Sequence, residues 1–459
     1  MCAFYSTFVF LMARWPRVSW LTMTLFRMLP DKRRLSWALV LSLATASAQA
    51  AGMVDLLNLA FDSNPSLQSQ ANLVRASQAE VKGANWQFFP TPSVSVEQVS
   101  ASNQDASYNK DSRVITFRLQ QPLWTAGRLT AGVGRAEAAT AAAVAQMEET
   151  RLQLALRTIQ AWGEWRAGHQ KLVALRESVQ THQRLVALIE RRVEGGISAV
   201  ADSVMAQGRL EQTQAELALA QAQQTSALAR LEQLTGQRIE GAQLEGLDIG
   251  PVEPIDPLES LLERSWRNSP TALKFEAQMR QQEMDVQIRR AQLMPEVYAR
   301  AEHQQGSFSA SGLSSANRFF IGLSATPGAG LSAVSGVDAA NARLQALQGD
   351  VEAARRSLIE QISLEHVSAR SQQQRRVSLL AGLRSVQAMV ASWDRQFLAG
   401  RKTWVEVMNA ARELSQAQTT LAEVEAAYVT ATWRLAVLSE GVAAIVSGLG
   451  TPLQPTGQP

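Results

Sequence analysis

A chain of 459 residues is long enough for two or three ordinary domains. Hydrophobic residues make up 46 % and aromatics only 6 %, a mixture that suits long helices and argues against one thick globular core. The formal charge is +3, but the first fifty residues set Arg14, Arg17, Arg27, Lys32, Arg33 and Arg34 against Asp31 alone; removing that +5 leaves about −2, so a nucleic-acid-binding face is not supported.

The N-terminus reads as a targeting segment. Lys32, Arg33 and Arg34 precede an apolar run from Leu35 to Ala46 and then Ala48-Gln49-Ala50. A basic region, a short apolar region and an A-x-A exit describe a secretory signal peptide over 1–50, cut after Ala50, with Met28 a candidate natural start. The apolar run is too short to span a hydrocarbon core of about 30 Å. The sole cysteine, Cys2, lies before the cut, so a mature chain has no disulfide and no cysteine metal site.

After Ala50 the elements recur. The expected order is a helix over 55–88, strands over 93–101 and 113–121, a long helix over 128–193, a glycine turn, and a returning helix over 202–235. The same order follows as a helix over 258–293, strands over 296–304 and 318–325, a long helix over 338–397 and a returning helix over 404–440. Pro65, Pro90 and Pro122 match Pro270, Pro295 and Pro327 in one register, and further on Gly196 falls under Gly400 and Asp202 under Glu406. The mature chain is therefore two tandem repeats, 51–235 and 258–440, joined by a Gly/Pro-rich linker, 236–257, and followed by a tail, 441–459.

The returning helices carry heptads. One runs Leu414, Ala417, Leu421, Val424, Tyr428, Ala431, Leu435, Leu438, and the other Leu210, Thr213, Leu217, Ala220, Gln224, Ala227, Leu231, Leu234. The outgoing helices match with Leu175, Val179, His182, Val186, Ile189, Val193 and with Leu379, Leu383, Val386, Val390, Trp393, Phe397. These are coiled-coil seams, and their narrowness predicts a thin wall of helices wetted on both sides.

The strands alternate, as in Ile115, Phe117, Leu119 against Thr116, Arg118, Gln120. Four strands cannot close a barrel, and a membrane tolerates a sheet only when no edge is left unpaired. Closure needs several chains, and three would give twelve strands around a water-filled lumen. An exported, duplicated chain of this kind points to an oligomeric outer-membrane channel with a helical tunnel below it.

With the Asn-Pro of "SNPSL" (Ser-Pro in "NSPTA"), "QPLWTAGR" and "FLAGRKTWVEVMNA", the mature chain resembles the TolC family of outer-membrane channel-tunnels along its whole length. That resemblance implies a mainly α fold with a small β part: a homotrimer with a twelve-stranded barrel in outer-membrane lipid of a Gram-negative bacterium and a helical periplasmic tunnel. It also implies docking by a periplasmic adaptor (membrane fusion protein) and an inner-membrane ABC or proton-driven pump. The "GRKTWVEVMNAARE" stretch looks more like secretion-linked members, giving type I secretion of a large surface adhesin as the leading expectation, with small-molecule or multidrug efflux as the alternative. A soluble periplasmic coiled-coil adaptor or scaffold is the alternative of another class. One departure is "TPGAGLSAV" in the second repeat, where family members usually keep the run seen at 121–128.

The family pattern puts the periplasmic gate on the second hairpin, at Glu406, Asn409, Lys402 and Phe397, with Asn409 standing where a second acid is usual. Lys402 is expected to latch neighbouring hairpins. Gly195, Gly196, Ser198, Asp202 and Gly400 mark the turns that would meet the adaptor, Asp202 equally reading as a helix N-cap. His182 reads as packed in its seam, Trp162 and Trp165 as wall packing, and His169, His303 and His366 stand without a carboxylate at metal spacing. Phe88, Phe89 and Trp124 beside the strand ends read either as an interfacial aromatic girdle or as packing. The chain has no H-E-x-x-H, P-loop or G-x-S-x-G motif, so no catalytic, cofactor or metal residue is expected.

Overall fold

The computed structural model describes residues 52–100, 106–108, 110–245, 255–326 and 328–447. The signal peptide expected over 1–50 lies outside the described residues, as do parts of the linker and most of the tail.

Each repeat opens on two helices where the sequence predicts one. They are α1 (Met53–Ser63) and α2 (Pro65–Trp86) in the first repeat. Asn64 is extended, at φ −75° and ψ 120°, and its side-chain oxygen accepts from the Ser66 amide at 2.9 Å. Proline disfavours the helical region for the residue before it but is at home at the first position of a new helix. The apolar periodicity continues across this break and hides it. Strands β1 (Thr91–Gln98) and β2 (Arg113–Trp124) follow, then α3 (Arg128–Glu194) and α4 (Val200–Thr235). At 1.5 Å per residue α3 is about 100 Å long.

A short helix, α5 (Gly241–Glu245), lies in the stretch expected to be a plain linker. Its Leu244 and the preceding Ile239 are buried in the main core, so this part of 236–257 is packed and does not merely span a gap. The second repeat runs α6 (Leu258–Asn268), α7 (Pro270–Ala291), β3 (Glu296–Gln305), β4 (Ser315–Ser324), α8 (Ser332–Leu398) and α9 (Trp404–Glu440). Ser269 repeats the Asn64 device, its hydroxyl accepting from the Ala272 amide at 3.3 Å before Pro270. The tail begins with α10 (Val442–Val446), whose Val442 and Ile445 are buried.

The two hairpins lie side by side, α3 packing on α4 and on α9, and α9 on α8. The middle pair therefore has neighbours on both sides. On α9 the heptad residues Leu421, Val424, Tyr428, Ala431, Leu435 and Leu438 are buried, and so is a second line through Ala422, Ala426, Val429 and Val437. The wall is thus less thin here than the narrow seams suggest. Over its 67 residues α8 fully buries only Ala340, Ile362, Ala369 and Phe397. Ion pairs cross the helix contacts, including Arg434 with Glu365 at 2.6 Å, Arg376 with Glu425 at 3.2 Å, and Lys171 with Glu423.

The largest core joins both repeats at mid-length, gathering Met53 and Leu57 of α1, Ile159, Trp162 and Trp165 of α3, Leu231 of α4, Leu261 of α6 and Leu438 of α9. Close approach of α3 and α9 depends on Gly163, where any β-carbon would run into the Thr430 side chain. Glycine inside a helix costs about 1 kcal/mol relative to alanine, so packing accounts for its presence here. Gly163→Val is expected to destabilise the fold by about 1–3 kcal/mol, the usual range for overpacking, despite removing a poor helix former. A thermal unfolding midpoint equal to or above that of the unaltered chain would contradict this.

Candidate functional site

Two places carry the functional expectations: the sheet and the hairpin turns. The four strands pair antiparallel in the order β1-β2-β3-β4, so β1 and β4 are open edges and the β2–β3 pairing joins the repeats. Residues opposite one another in register share a face. One face carries Val94 and Val96, Phe117 and Leu119, Ala299 and Ala301, and Phe319, Ile321 and Leu323. These side chains are open to their surroundings, Phe319 at 84 % and Ile321 at 81 % exposure. The opposite face carries Ser93, Ser95, Arg118, Gln120, Arg300, Glu302, Gln304 and Arg318. An apolar face exposed beside a charged face is the pattern of a barrel wall between lipid and water. Among the described residues, no helix is long and apolar enough to cross a membrane.

Trp86, Phe88, Phe89 and Trp124 are exposed around one end of the sheet, with the Trp86 and Phe89 rings 5.2 Å apart. Burial does not hold them there, which favours the girdle over plain packing. At the same end Arg128 makes a two-pronged pair with Glu296, at 2.5 and 3.1 Å, tying the start of α3 to the start of β3.

The two hairpin turns share one geometry. Each outgoing helix ends with a glycine at positive φ, Gly196 at 68° and Gly400 at 72°. The Ile197 amide donates to Arg192 O at 2.8 Å and the Arg401 amide to Gln396 O at 2.9 Å. Gly196 and Gly400 reach Val193 O and Phe397 O at 2.9 and 3.0 Å, completing the same C-terminal cap twice. Only a residue free to adopt the left-handed region does this without strain.

Beyond the turns the repeats differ. Thr403 caps α9, its hydroxyl accepting from the Glu406 amide at 3.4 Å while Glu406 Oε2 accepts from the Thr403 amide at 2.9 Å. Lys402 Nζ donates to Glu406 Oε1 at 2.6 Å and lies 4.4 Å from the centre of the Trp393 ring. The Lys402 hydrogen bond, with those from Thr403, lowers the Glu406 pKa from 4.5 to about 2. Lys402, expected to latch neighbouring hairpins, thus grips groups of its own hairpin. The capping pair was legible as T-x-x-E, "TWVE", a signal the sequence reading passed over. In the first repeat Ala199 stands at the cap, and Asp202 serves from inside the helix, accepting from the Ala199 amide at 3.2 Å. Asp202 is therefore the third residue of its helix and not the cap.

Phe397, expected at the gate, is only 2 % exposed and packs in a cluster with Ile189, Ala206, Trp404, Val407 and Met408. The Arg192 guanidinium of the first hairpin lies over its ring at 5.0 Å. Phe397 therefore packs one hairpin against the other. Asn409 is exposed and Glu406 half-buried, Ser198 is half-buried, and Gly195, Gly196 and Gly400 are exposed.

His182 is buried in its seam, its Nδ1 donating to Ser178 O at 2.9 Å. His169 stacks on Trp165 with ring centres 5.2 Å apart, and His303 meets Asn317 at 2.7 Å. Among the described residues no group of three or more His, Cys, Asp or Glu is placed to hold a metal ion.

Residues 56–237 and 261–439 match the family model described as outer membrane efflux protein, one segment on each repeat. The nickel-cobalt-cadmium resistance protein NccC of Alcaligenes xylosoxydans xylosoxydans is 25 % identical over 334 residues, spanning 71 % of this chain and 74 % of its own. The solved structure of the outer-membrane channel OprN matches with a TM-score of 0.73 at 19 % identity, covering 85 % of this chain and 89 % of its own. The Campylobacter jejuni CmeC outer membrane channel matches at 0.72 and 13 %, covering 88 % and 90 %. At these identities the two structures speak for the fold.

Proposed function

The chain belongs to the outer membrane efflux protein family, and from that premise we propose that it closes a barrel as a homotrimer and serves a tripartite pump as its exit duct. As a member of this family it is a passive outer-membrane channel with a periplasmic extension, and not an enzyme. The observation that carries the trimer is the sheet: one apolar face, one charged face and two unpaired edges. The helices agree. The outer helices of the set expose Val200, Val204 and Leu219 on α4 and Leu364, Val367 and Val377 on α8, apolar surface of the kind neighbouring copies would cover. Purified protein in detergent is expected to run as a trimer in multi-angle light scattering. A monodisperse monomer would end this reading.

Efflux of small solutes is favoured over secretion of a large adhesin, because the resistance protein is a relative along most of its length. The "GRKTWVEVMNAARE" stretch is the one feature that favours type I secretion. The two part in a deletion strain. Efflux predicts raised sensitivity to toxic metal salts or dyes with an unchanged set of secreted proteins. Loss of one large secreted protein with unchanged sensitivities reverses the choice.

The turns, 195–202 and 399–406, are proposed as the surface that meets the adaptor, and Glu406 with Asn409 as the lining of the constriction. Exposure of Ile197 and Leu398 at the turns supports a docking role. A photo-crosslinker at Ser198 or Arg401 is expected to capture an adaptor in cells. Capture only from positions 110–112, at the other end of the strands, would place the chain the other way up.

A further inference from the structure

The charged face of the sheet is not evenly mixed. Ser93, Arg118, Glu302 and Arg318 form one row across the four strands, and Arg300 lies two residues along β3 on the same face. Glu302 is the only acid in this group, and it is engaged: Arg118 Nε donates to it at 2.7 Å, and Arg300 Nε lies 3.1 Å away. Its side chain is 10 % exposed, whereas that of Arg118 is 44 % exposed. Arg300 also lies 4.6 Å from the Phe320 ring centre, which faces the same side. Arg318 is exposed and donates to Gln304 at 2.8 Å.

Three arginines against one glutamate leave two net positive charges per chain in this belt, hence six in a trimer. Counting Glu97, nearer the connecting loops, still leaves one per chain, and Glu296, at the start of β3 on the same face, is balanced by Arg128. Neighbouring strands lie about 4.8 Å apart, so charges on adjacent strands sit within the Debye length of about 8 Å at physiological salt. Facing a confined lumen, such a belt concentrates anions and repels cations. At the tip of the second hairpin Lys402 balances Glu406.

We propose that Arg118, Arg300 and Arg318 form a belt inside the barrel that makes the outer-membrane part of the duct select for anions and negatively charged solutes. This rests on the trimeric barrel proposed above. Solutes bearing a carboxylate are favoured at the belt.

The test is the reversal potential of the purified full chain in planar bilayers under a potassium chloride gradient. The unaltered channel is expected to favour chloride over potassium roughly three-fold, a modest ratio for a wide charged pore. Arg318→Gln, which leaves both ion pairs of Glu302 in place, is expected to lower that ratio, and Arg118→Gln/Arg318→Gln to bring it to about one. A trimeric, conducting channel that favours potassium, or one whose ratio is unchanged in both variants, overturns the belt while leaving the barrel intact. A monomer without conductance overturns the barrel, and the belt with it.

Discussion

Phe397→Ala is expected to raise the resting conductance of the channel and to sensitise cells to bulky antibiotics that the outer membrane excludes. The ring is almost wholly buried where the last turns of α8 meet the first hairpin, beneath Arg192 and among Ile189, Trp404 and Met408. Removing a buried phenylalanine costs about 3–5 kcal/mol, part of it for the cavity left behind. Here the loss falls on one contact between two hairpins, so it loosens the tip before it unfolds the chain. Phe397→Leu keeps most of the volume and is expected to cost less than about 1.5 kcal/mol and to leak little. Bilayer conductance and antibiotic susceptibility measure the opening, and thermal unfolding measures the cost. If Phe397→Ala stayed as closed as the unaltered channel, this ring would not be what ties the tips together.

The residue types that make this anchor were visible in the sequence, but the contact was not. Phe397 ends a heptad seam and sits where a gate residue is usual in the resembling family, which drew it toward the opening. Burial by Arg192, more than two hundred residues earlier, has no local signature. The same limit applies to the sheet. Alternation of Phe117 and Leu119 with Arg118 and Gln120 marked two unlike faces, because side chains on a strand reverse with every residue. The row joining Arg118, Glu302 and Arg318 depends on which residues pair across chain segments far apart, and no single strand encodes that.

Local chemistry was more legible. The returning helix expected over 404–440 is found as Trp404–Glu440, because a threonine cap, a heptad and a terminal glycine all agree on its limits. Pro65 and Pro270 were read as repeat markers and not as helix starts, although proline at the first helical position after a capping Asn or Ser is a standard entry. The linker misled through composition. Its glycines and prolines suggested a spacer, while Ile239 and Leu244 supplied the apolar groups that dock it.

The largest electrostatic effect is expected from Lys402→Glu, which should raise resting conductance several-fold more than Asp202→Ala. In the native tip Lys402 satisfies one oxygen of Glu406 while Thr403 satisfies the other. Reversing Lys402 places a second carboxylate beside the first, and three chains around an axis would bring six together at the proposed constriction. Asp202 accepts from the Ala199 amide at 3.2 Å and has no lysine at the matching position, which is Ser198, so its loss removes one helix-end hydrogen bond and no ion pair. The pH dependence separates the two ideas of what holds the tip. Glu406 is held to about 2 in the folded chain from an ordinary 4.5, so its contribution is complete above 4.5 and disappears as the pH falls through about 2. Acidifying from pH 7 to 5 should therefore leave this pair, and any closure it supports, unchanged. Lys402→Gln removes the main cause of the shift, so the Glu406 pKa moves back toward 4.5 and the tip becomes sensitive to acid in a range where the native channel is not. Conductance recorded from pH 7 down to 3 in both proteins decides it. Identical acid responses, or an Asp202→Ala channel as open as Lys402→Glu, would show that the second hairpin's ion pair does not hold the gate.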